Sequence, residues 1–460
     1  VLVPPSVRHA QAGATVIAQL ASFPETVTSA DEAELTLRSQ SRRLHCGMIM
    51  AAPGKGESTT DNVFSGLCMI AENGEILAAS ECENSMAVTE LDVEYIVNTR
   101  RGSDDFDLDS DEYYEAVWGG EPVETELTRS YRKYPHLPAN EADMPAYCER
   151  MLDIQVSGLV KRMQYAGLDH CVVGISGGVD STLAVIICAE AVKMMGLPAN
   201  YVNAVTMPCF GTTKRTKSNA VKLCEELGVS VQEVNITASV RQHFADIGHD
   251  ESVHDVTYEN CQARERTQVL MDIANQSGGL VIGTGDLSEL ALGWATYNGD
   301  HMSMYAVNCS VPKTLVRYIV QYEAGSSAPS LREVLLDILD TPVSPELLPA
   351  DENGQIAQKT EDLVGPYELH DFFLYHLLRF GSRPRKLFRM AKYAYGGKYS
   401  DAVILHWLKI FCRRFFQQQF KRSCIPDGPK VGSVTLSPRG DWRMPSDASG
   451  SLWLAEAEAL

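Results

Sequence analysis

Two short stretches carry residue types whose order could do chemistry. The first is GISGGVDS, residues 174–181. A short apolar run, CVVGI, leads into Ser176-Gly177-Gly178-Val179-Asp180-Ser181, and a helical pattern starts at once. Two glycines let a backbone approach an anion closely and turn its amides inward. The start of a helix adds free N–H groups and the positive end of its dipole. Ser176 and Ser181 offer hydroxyl donors. A Walker-type loop would place a lysine here, and none is present. Asp180 cannot hold phosphate itself but could hold a magnesium ion that does. A plain glycine turn of an α/β protein is the competing reading, and the order Ser, Gly, Gly, Asp, Ser at such a junction disfavours it.

The second stretch is LVIGTGDLSEL, residues 280–290, another strand–turn–helix pattern. Thr284 and Asp286 fall in the turn and Glu289 on the first turn of the helix. A carboxylate there could complete a metal site with Asp180. Equally, Asp286 or Ser288 could cap the helix while Glu289 complements its dipole. The stretch alone leaves both readings open.

The elements around these stretches predict the fold class. From about Met151, apolar runs of strand length alternate with helical patterns closed by Gly196, Gly228 and Gly278. Alternation of this kind implies a parallel, doubly wound sheet with ligands at the C-terminal strand edges. Residues 1–90 are rich in short apolar runs, with a helix through DEAELTLRSQSRRL and a hairpin about Asn73-Gly74. The stretch from Arg100 to Glu126 loses periodicity and gathers acidic residues. Its carboxylates lack the spacing and turn glycine of a calcium loop, so it reads as a linker or surface excursion.

With 460 residues the chain can bury two or three cores. It is 45% hydrophobic and 22% charged, and no apolar run reaches the length of a membrane span. Its 12 cysteines form no CxxC pair, which argues against a zinc ribbon, a redox dithiol or a secreted disulfide scaffold. A reducing cytoplasm, with no membrane partner, is the expected setting. A net charge of −20 argues against general nucleic-acid binding. Residues 376–443 nevertheless hold 15 Lys/Arg against 3 Asp/Glu. That basic block suits a nucleotide, RNA, or a subunit face complementary to the acidic remainder.

The 174–181 stretch resembles the signature of the PP-loop ATP pyrophosphatases, which cleave ATP between the α and β phosphates. At residues 259–318, through NGDHMSMYAVNCSVPKTLVRY, the chain strongly resembles glutamine-dependent NAD⁺ synthetases. MPCFGTTKRTKSNA (207–220), SPELLP (344–349), GPYELHDFFLY (365–375), FKRSCIPDGPK (420–430) and SPRGDW (437–442) are similar to that family too. The likeness covers 151–460. Residues 1–120, including GESTTDNVFSG (56–66), resemble the C-terminal part of the family's nitrilase-type glutaminase domain.

The resemblance implies an adenine nucleotide alpha hydrolase-like domain at 151–460, a linker at 126–150 and a partial nitrilase-like α/β sandwich at 1–125. It implies a carbon–nitrogen ligase whose substrates are ATP and deamido-NAD⁺, with Mg²⁺. The nicotinate carboxylate attacks the α-phosphate of ATP, pyrophosphate leaves, and ammonia displaces AMP. By motif position, Gly174, Ser176, Gly177, Gly178, Val179, Asp180 and Ser181 would hold the ATP phosphates, and Thr284 would contact ATP. Asp180 and Glu289 would hold the metal. Asn260, Arg264, Glu289, Trp294, Ala295, Thr296, Tyr297, Lys421 and Asp441 would contact deamido-NAD⁺. The family's pocket lies at a subunit interface, so a homo-oligomer is expected. Without the family, Trp294 and Tyr297 would read as core, and Lys421 as the solvated edge of a helix.

The family's glutaminase uses a Glu–Lys–Cys triad whose cysteine stands a few residues before a Pro-Pro-Ser stretch. Here Pro4-Pro5-Ser6 lies almost at the start, and no cysteine present occupies that motif. The expectation is a chain with no protein nucleophile, taking free ammonia where the intact family takes it from glutamine. Phe23 and Ser29 also depart from the serine and the basic residue that the family uses to bind glutamine. Competing functions are another PP-loop amidotransferase or thiolase, although the reactive cysteine pair of a thiolase is missing, and a non-catalytic nucleotide-binding protein.

Overall fold

Asn73 and Gly74 turn the chain back on itself. Both have positive φ, 50° and 84°, as a two-residue hairpin loop demands. The computed structural model describes residues 3–57, 60–80, 86–103, 105–106, 113–121, 123–212, 214–341, 347–348 and 360–460. SPELLP, apart from Leu347 and Leu348, and the acidic residues at 104–112, apart from Asp105, lie outside the described residues.

The hairpin belongs to the first of two units, Val1–Tyr131 with Phe380–Ser382. Its elements are α1 (Pro5–Gln11), β1 (Val16–Leu20), α2 (Ser29–Arg43), β2 (Gly47–Ala51), β3 (Cys68–Glu72), β4 (Glu75–Ser80) and α3 (Val93–Arg100). The strands form one sheet in the order β1-β2-β3-β4, parallel between β1 and β2 and antiparallel thereafter. Leu37 of α2 packs into a core with Met48, Met50 and Met69. The two positions that depart from the glutamine-binding pattern have structural roles. Phe23 packs against this core. Ser29 donates its hydroxyl to Thr26 O at 3.0 Å and accepts from Thr26 N at 3.1 Å where α2 begins.

The second unit comprises Arg132–Arg379 and Arg383–Leu460. Of the stretch expected as a linker, 126–150, residues from Arg132 onward fall in this unit, whose first α-helix starts at Met144. The chain runs α4 (Met144–Ala166), β5 (His170–Gly174), α5 (Val179–Met194), β6 (Val202–Thr206), α6 (Lys214–Leu227), β7 (Ser230–Glu233), α7 (Thr237–Ile247), α8 (Val256–Ser277), β8 (Gly279–Gly283), α9 (Leu287–Leu292) and β9 (Tyr305–Ala306). Helices α10 (Lys313–Ser326), α11 (Pro329–Leu339), α12 (Thr360–Val364), α13 (Tyr367–Phe380), α14 (Pro384–Tyr395), α15 (Asp401–Gln417) and α16 (Gln419–Arg422) follow.

The five strands are parallel in the order β7-β6-β5-β8-β9. Cys171, Val172 and Val173 of β5 are fully buried, which only a central strand covered on both faces provides. On one face α5 is buried on nearly every side, as its apolar sequence demands, beside α4, α6, α10 and α11. On the other face α7 and α8 cover Val172, Val205 and Val281 with Phe244 and Tyr258. The chain moves outward from β5 to β7 and then returns to β8. The order therefore reverses between β5 and β8, and a crevice opens at their C-terminal ends. Both chemically suggestive stretches leave the sheet there.

Gly177 shows how tightly that exit is built. Its φ is +84°, and a Cβ on it would stand 2.2 Å from the carbonyl oxygen of Thr216 in α6. Gly178 is freer, since its nearest obstacle would be Ser176 Oγ at 3.4 Å. Gly177→Ala is expected to cost roughly 1–3 kcal/mol of stability in urea unfolding, and Gly178→Ala clearly less. Equal costs would contradict this account of the loop.

Candidate active site

Ser176 to Ser181 close on themselves through side-chain hydroxyls. Ser181 Oγ donates to Gly178 O at 3.1 Å and lies 3.2 Å from Ser176 Oγ. Ser176 Oγ in turn accepts from Gly178 N at 3.2 Å. The two serines expected to face a phosphate thus also hold the loop in shape. After β8, Asp286 caps α9 by accepting from Glu289 N at 2.8 Å, and Glu289 Oε2 accepts from Asp286 N at 3.3 Å. This reciprocal capping box is one of the two readings the sequence left open. Asn308, fully buried, joins the two exits by donating to Asp180 O at 3.0 Å and Thr284 O at 3.1 Å. Gln155 of α4 fixes Asn308, donating to its Oδ1 at 3.1 Å.

Capping and convergence of the carboxylates occur together. Oxygens of Asp180, Asp286 and Glu289 lie within 4.8 Å of one another. Between them sits Lys313, the first residue of α10 and almost wholly buried. Its Nζ is 2.5 Å from Asp180 Oδ2, 3.0 Å from Asp286 Oδ2 and 2.9 Å from Glu289 Oε1. The cation absent from the loop sequence is therefore supplied by another element, 133 residues away. Burial alone would lower the Lys313 pKa, but the three carboxylates outweigh it and hold the ammonium well above its ordinary value. Burial pushes the Asp286 and Glu289 carboxyls upward against the pull of Lys313. Three carboxylates around one ammonium leave surplus negative charge and unused oxygen: Asp180 Oδ1 is buried without a hydrogen-bond partner. A set of hard oxygen donors with one left free fits a magnesium ion.

A cavity of about 470 Å³ opens over this cluster. Of the residues expected on ATP, Gly174, Ser176, Gly178, Val179, Asp180, Ser181 and Thr284 line it. So do Asn260, Glu289, Trp294, Ala295, Thr296 and Lys421 from the set expected on deamido-NAD⁺. Four others do not. Gly177 faces Thr216 instead. Arg264 donates to Tyr297 O at 3.3 Å. Tyr297 stacks on His301 with ring centroids 5.3 Å apart, and Asp441 pairs with Lys430 at 2.5 Å.

The loop after α9 is held from the basic C-terminal block. Lys421 Nζ donates to Gly293 O at 2.7 Å and Ala295 O at 2.6 Å. Burial and the neighbouring Arg414 lower its pKa to about 8. Arg414 donates to Leu292 O at 2.9 Å and stacks over Trp294. Arg422, buried, donates to Leu290 O and Ala291 O at 3.1 and 3.0 Å. Three cations of the basic block thus cap the negative end of α9. On the far side Thr296 Oγ1 donates to Asn260 Oδ1 at 2.8 Å, and His301 Nδ1 stands 3.0 Å from Thr296 O. Sequence reasoning missed Lys313, Arg414 and Arg422 as site residues. A lysine directly after proline in the apolar CSVPKTLV was the available signal for the first.

A family model described as NAD synthase matches residues 151–386. The chain is 41% identical to the glutamine-dependent NAD(+) synthetase of Mycobacterium tuberculosis over 492 aligned residues, covering 99% of this chain and 72% of the relative. The corresponding protein of Mycobacterium leprae is also 41% identical, with the same coverage. Among solved structures, a glutamine-dependent NAD(+) synthetase from Cytophaga hutchinsonii superposes with a TM-score of 0.55 at 16% identity. That superposition covers 98% of this chain and 72% of the other, and it bears on the fold.

Replacing Lys313 with methionine leaves the buried Asp286 and the half-buried Asp180 and Glu289 without their cation. It is expected to cost about 3–5 kcal/mol at neutral pH. Without the ammonium, the Asp286 and Glu289 carboxyls, already raised by burial, rise further above their unfolded values. The deficit should therefore shrink as pH falls toward 5. Urea unfolding at both pH values checks this, and a loss independent of pH would contradict the cluster's electrostatics.

Proposed function

This chain belongs to the family of glutamine-dependent NAD⁺ synthetases, and from that premise we propose how its residues amidate deamido-NAD⁺ with ATP. One observation carries the reading. A single cavity gathers the glycine loop, the carboxylate cluster and the Trp294–Thr296 loop. Each suits one part of the reaction: the loop a phosphate tail, the cluster a phosphate-bound cation, and the flat Trp294 beside Thr296 and Asn260 the second substrate.

Transfer of an adenylyl group to a carboxylate needs no protein nucleophile, only alignment and charge stabilisation. The α5 N-terminus and the 176–181 amides hold the triphosphate, with the α-phosphate turned toward the nicotinate carboxylate. That carboxylate attacks phosphorus, pyrophosphate leaves into the loop, and ammonia then displaces AMP at the activated carbonyl. Asp180 and Glu289 would hold magnesium, which supplies charge neutralisation of the phosphates when bound. Lys313, buried beneath the cavity, keeps the carboxylates together before substrate arrives. Lys421 acts on deamido-NAD⁺ by fixing the Gly293 and Ala295 carbonyls, and so the loop carrying Trp294 and Thr296. Arg264, Tyr297 and Asp441, outside the cavity lining, support the pocket's walls at most.

Purified chain given ATP, Mg²⁺, deamido-NAD⁺ and ammonium should release pyrophosphate and form NAD⁺, and nicotinate alone should not replace the dinucleotide. Asp180→Asn should lower that rate on the order of 100-fold. It should also abolish the rise in melting temperature that Mg²⁺ with ATP gives the parent chain. Pyrophosphate release indifferent to deamido-NAD⁺ would overturn the reading. For Lys421, KM for deamido-NAD⁺ should climb as pH passes about 8, where the ammonium loses its charge. In Lys421→Met, KM should be high and flat with pH. An unchanged KM in that variant would remove Lys421 from the pocket.

A further inference from the structure

The segment GPYELHDFFLY has no part in the chemistry so far, yet α13, which it opens, sits directly behind the cluster. Asp371, on its second turn, is almost fully buried and makes three side-chain hydrogen bonds to two other helices. Its Oδ1 accepts from the Ser288 hydroxyl. Its Oδ2 accepts from Thr314 N at 3.0 Å and Thr314 Oγ1 at 2.6 Å. Ser288 Oγ also accepts from the backbone N–H of Lys313 at 2.8 Å. Ser288 immediately precedes Glu289, and Thr314 immediately follows Lys313. One carboxylate thus ties the first turns of α9 and α10 together beside the two residues that must meet. Asp286 adds a second link, accepting from Glu289 N of α9 and pairing with Lys313 Nζ of α10.

We propose that Asp371 is the positioning residue of the site: through Ser288 and Thr314 it sets Glu289 of α9 against Lys313 of α10. Helices α9 and α10 enter from different strands, β8 and β9, and α9 is only six residues long. Such a short helix has little hold on its own orientation. Its C-terminal end is capped by Arg414 and Arg422, and its N-terminal end is held by the Asp286 capping box and by Asp371 through Ser288. Freed there, Glu289 could shift by an ångström, a displacement that can cost catalysis about 100-fold. Asp371 does not line the cavity and acts through its two neighbours. The burial that raises its pKa to about 6 is offset in part by the three donors that face its carboxylate.

The inference rests on the proposed synthetase activity, and the test separates the two. Asp371→Ala, Asp371→Asn, Ser288→Ala and the double variant Ser288→Ala/Asp371→Asn are compared with the parent chain in NAD⁺ formation. Each is also followed by thermal melting. Asp371→Ala should lower kcat on the order of 100-fold with KM for deamido-NAD⁺ unchanged. Asp371→Asn, which keeps an acceptor for Ser288, should recover part of that loss. Ser288→Ala should cost about tenfold, and the double variant should be no worse than Asp371→Asn alone, because both act along one path. Should Asp371→Ala fail to fold, Ser288→Ala, which removes one oxygen atom, still reads the path. Full activity in Asp371→Asn and Ser288→Ala, losses that multiply in the double variant, or a kcat loss equal to the unfolded fraction would overturn the positioning role. An inactive parent chain would overturn both it and the synthetase reading.

Discussion

A single ammonium held among three carboxylates, under cover of protein, is the constraint on which this site depends. Burying any one of these charges alone would cost several kcal/mol. Lys313 can be buried because Asp180, Asp286 and Glu289 surround it, and they can converge because it is there. The four residues come from α5, α9, α10 and the turn after β8, so their pairing also fixes where those elements stand. The balance is deliberately incomplete in charge: the carboxylates outnumber the ammonium and one oxygen of Asp180 has no partner. A site held together in this way is formed before a cation and a polyphosphate arrive, and it still has reason to attract them.

The sheet explains why the cluster lies where it does. Its strand order reverses between β5 and β8, which leaves a gap at the ends of these two adjacent strands. Gly177, pressed against Thr216, and the capping box of Asp286 and Glu289 shape the two lips of that gap. Asn308 bridges them from beneath. The basic C-terminal block, conspicuous against a chain of net charge −20, finds part of its explanation here. Arg414, Lys421 and Arg422 donate to five successive or near-successive carbonyls from Leu290 to Ala295, where the negative end of α9 needs donors.

How much of this was legible in the sequence follows from how local each signal is. Strand–turn–helix junctions at 174–181 and 280–290, the glycines that stop helices, and the Asn73-Gly74 hairpin are written in consecutive residues. Each forms as its pattern predicts. Asp180 and Glu289 could be paired from their motifs, since both sit at strand exits of a parallel sheet. Lys313 could be noticed as a lone lysine in an apolar stretch but not paired, because its partners lie in distant segments. Asp371 was invisible for the same reason, sitting inside an aromatic helical stretch that periodicity assigns to the core. The calcium-like acidic run was set aside on spacing, and most of it lies outside the described residues. Lys421 shows a subtler limit: its place in the pocket was readable, but its bonding to backbone carbonyls was not.

The central claim is that the carboxylate cluster at the β5 and β8 exits takes the metal that accompanies the triphosphate. A crystal structure of the chain grown with Mn²⁺ and α,β-methylene ATP tests it most directly, through the anomalous signal of manganese. The account predicts a manganese peak bound to oxygens of Asp180 and Glu289, with the phosphates lying across residues 176–181. A peak elsewhere, or a triphosphate seated away from that loop, would contradict it.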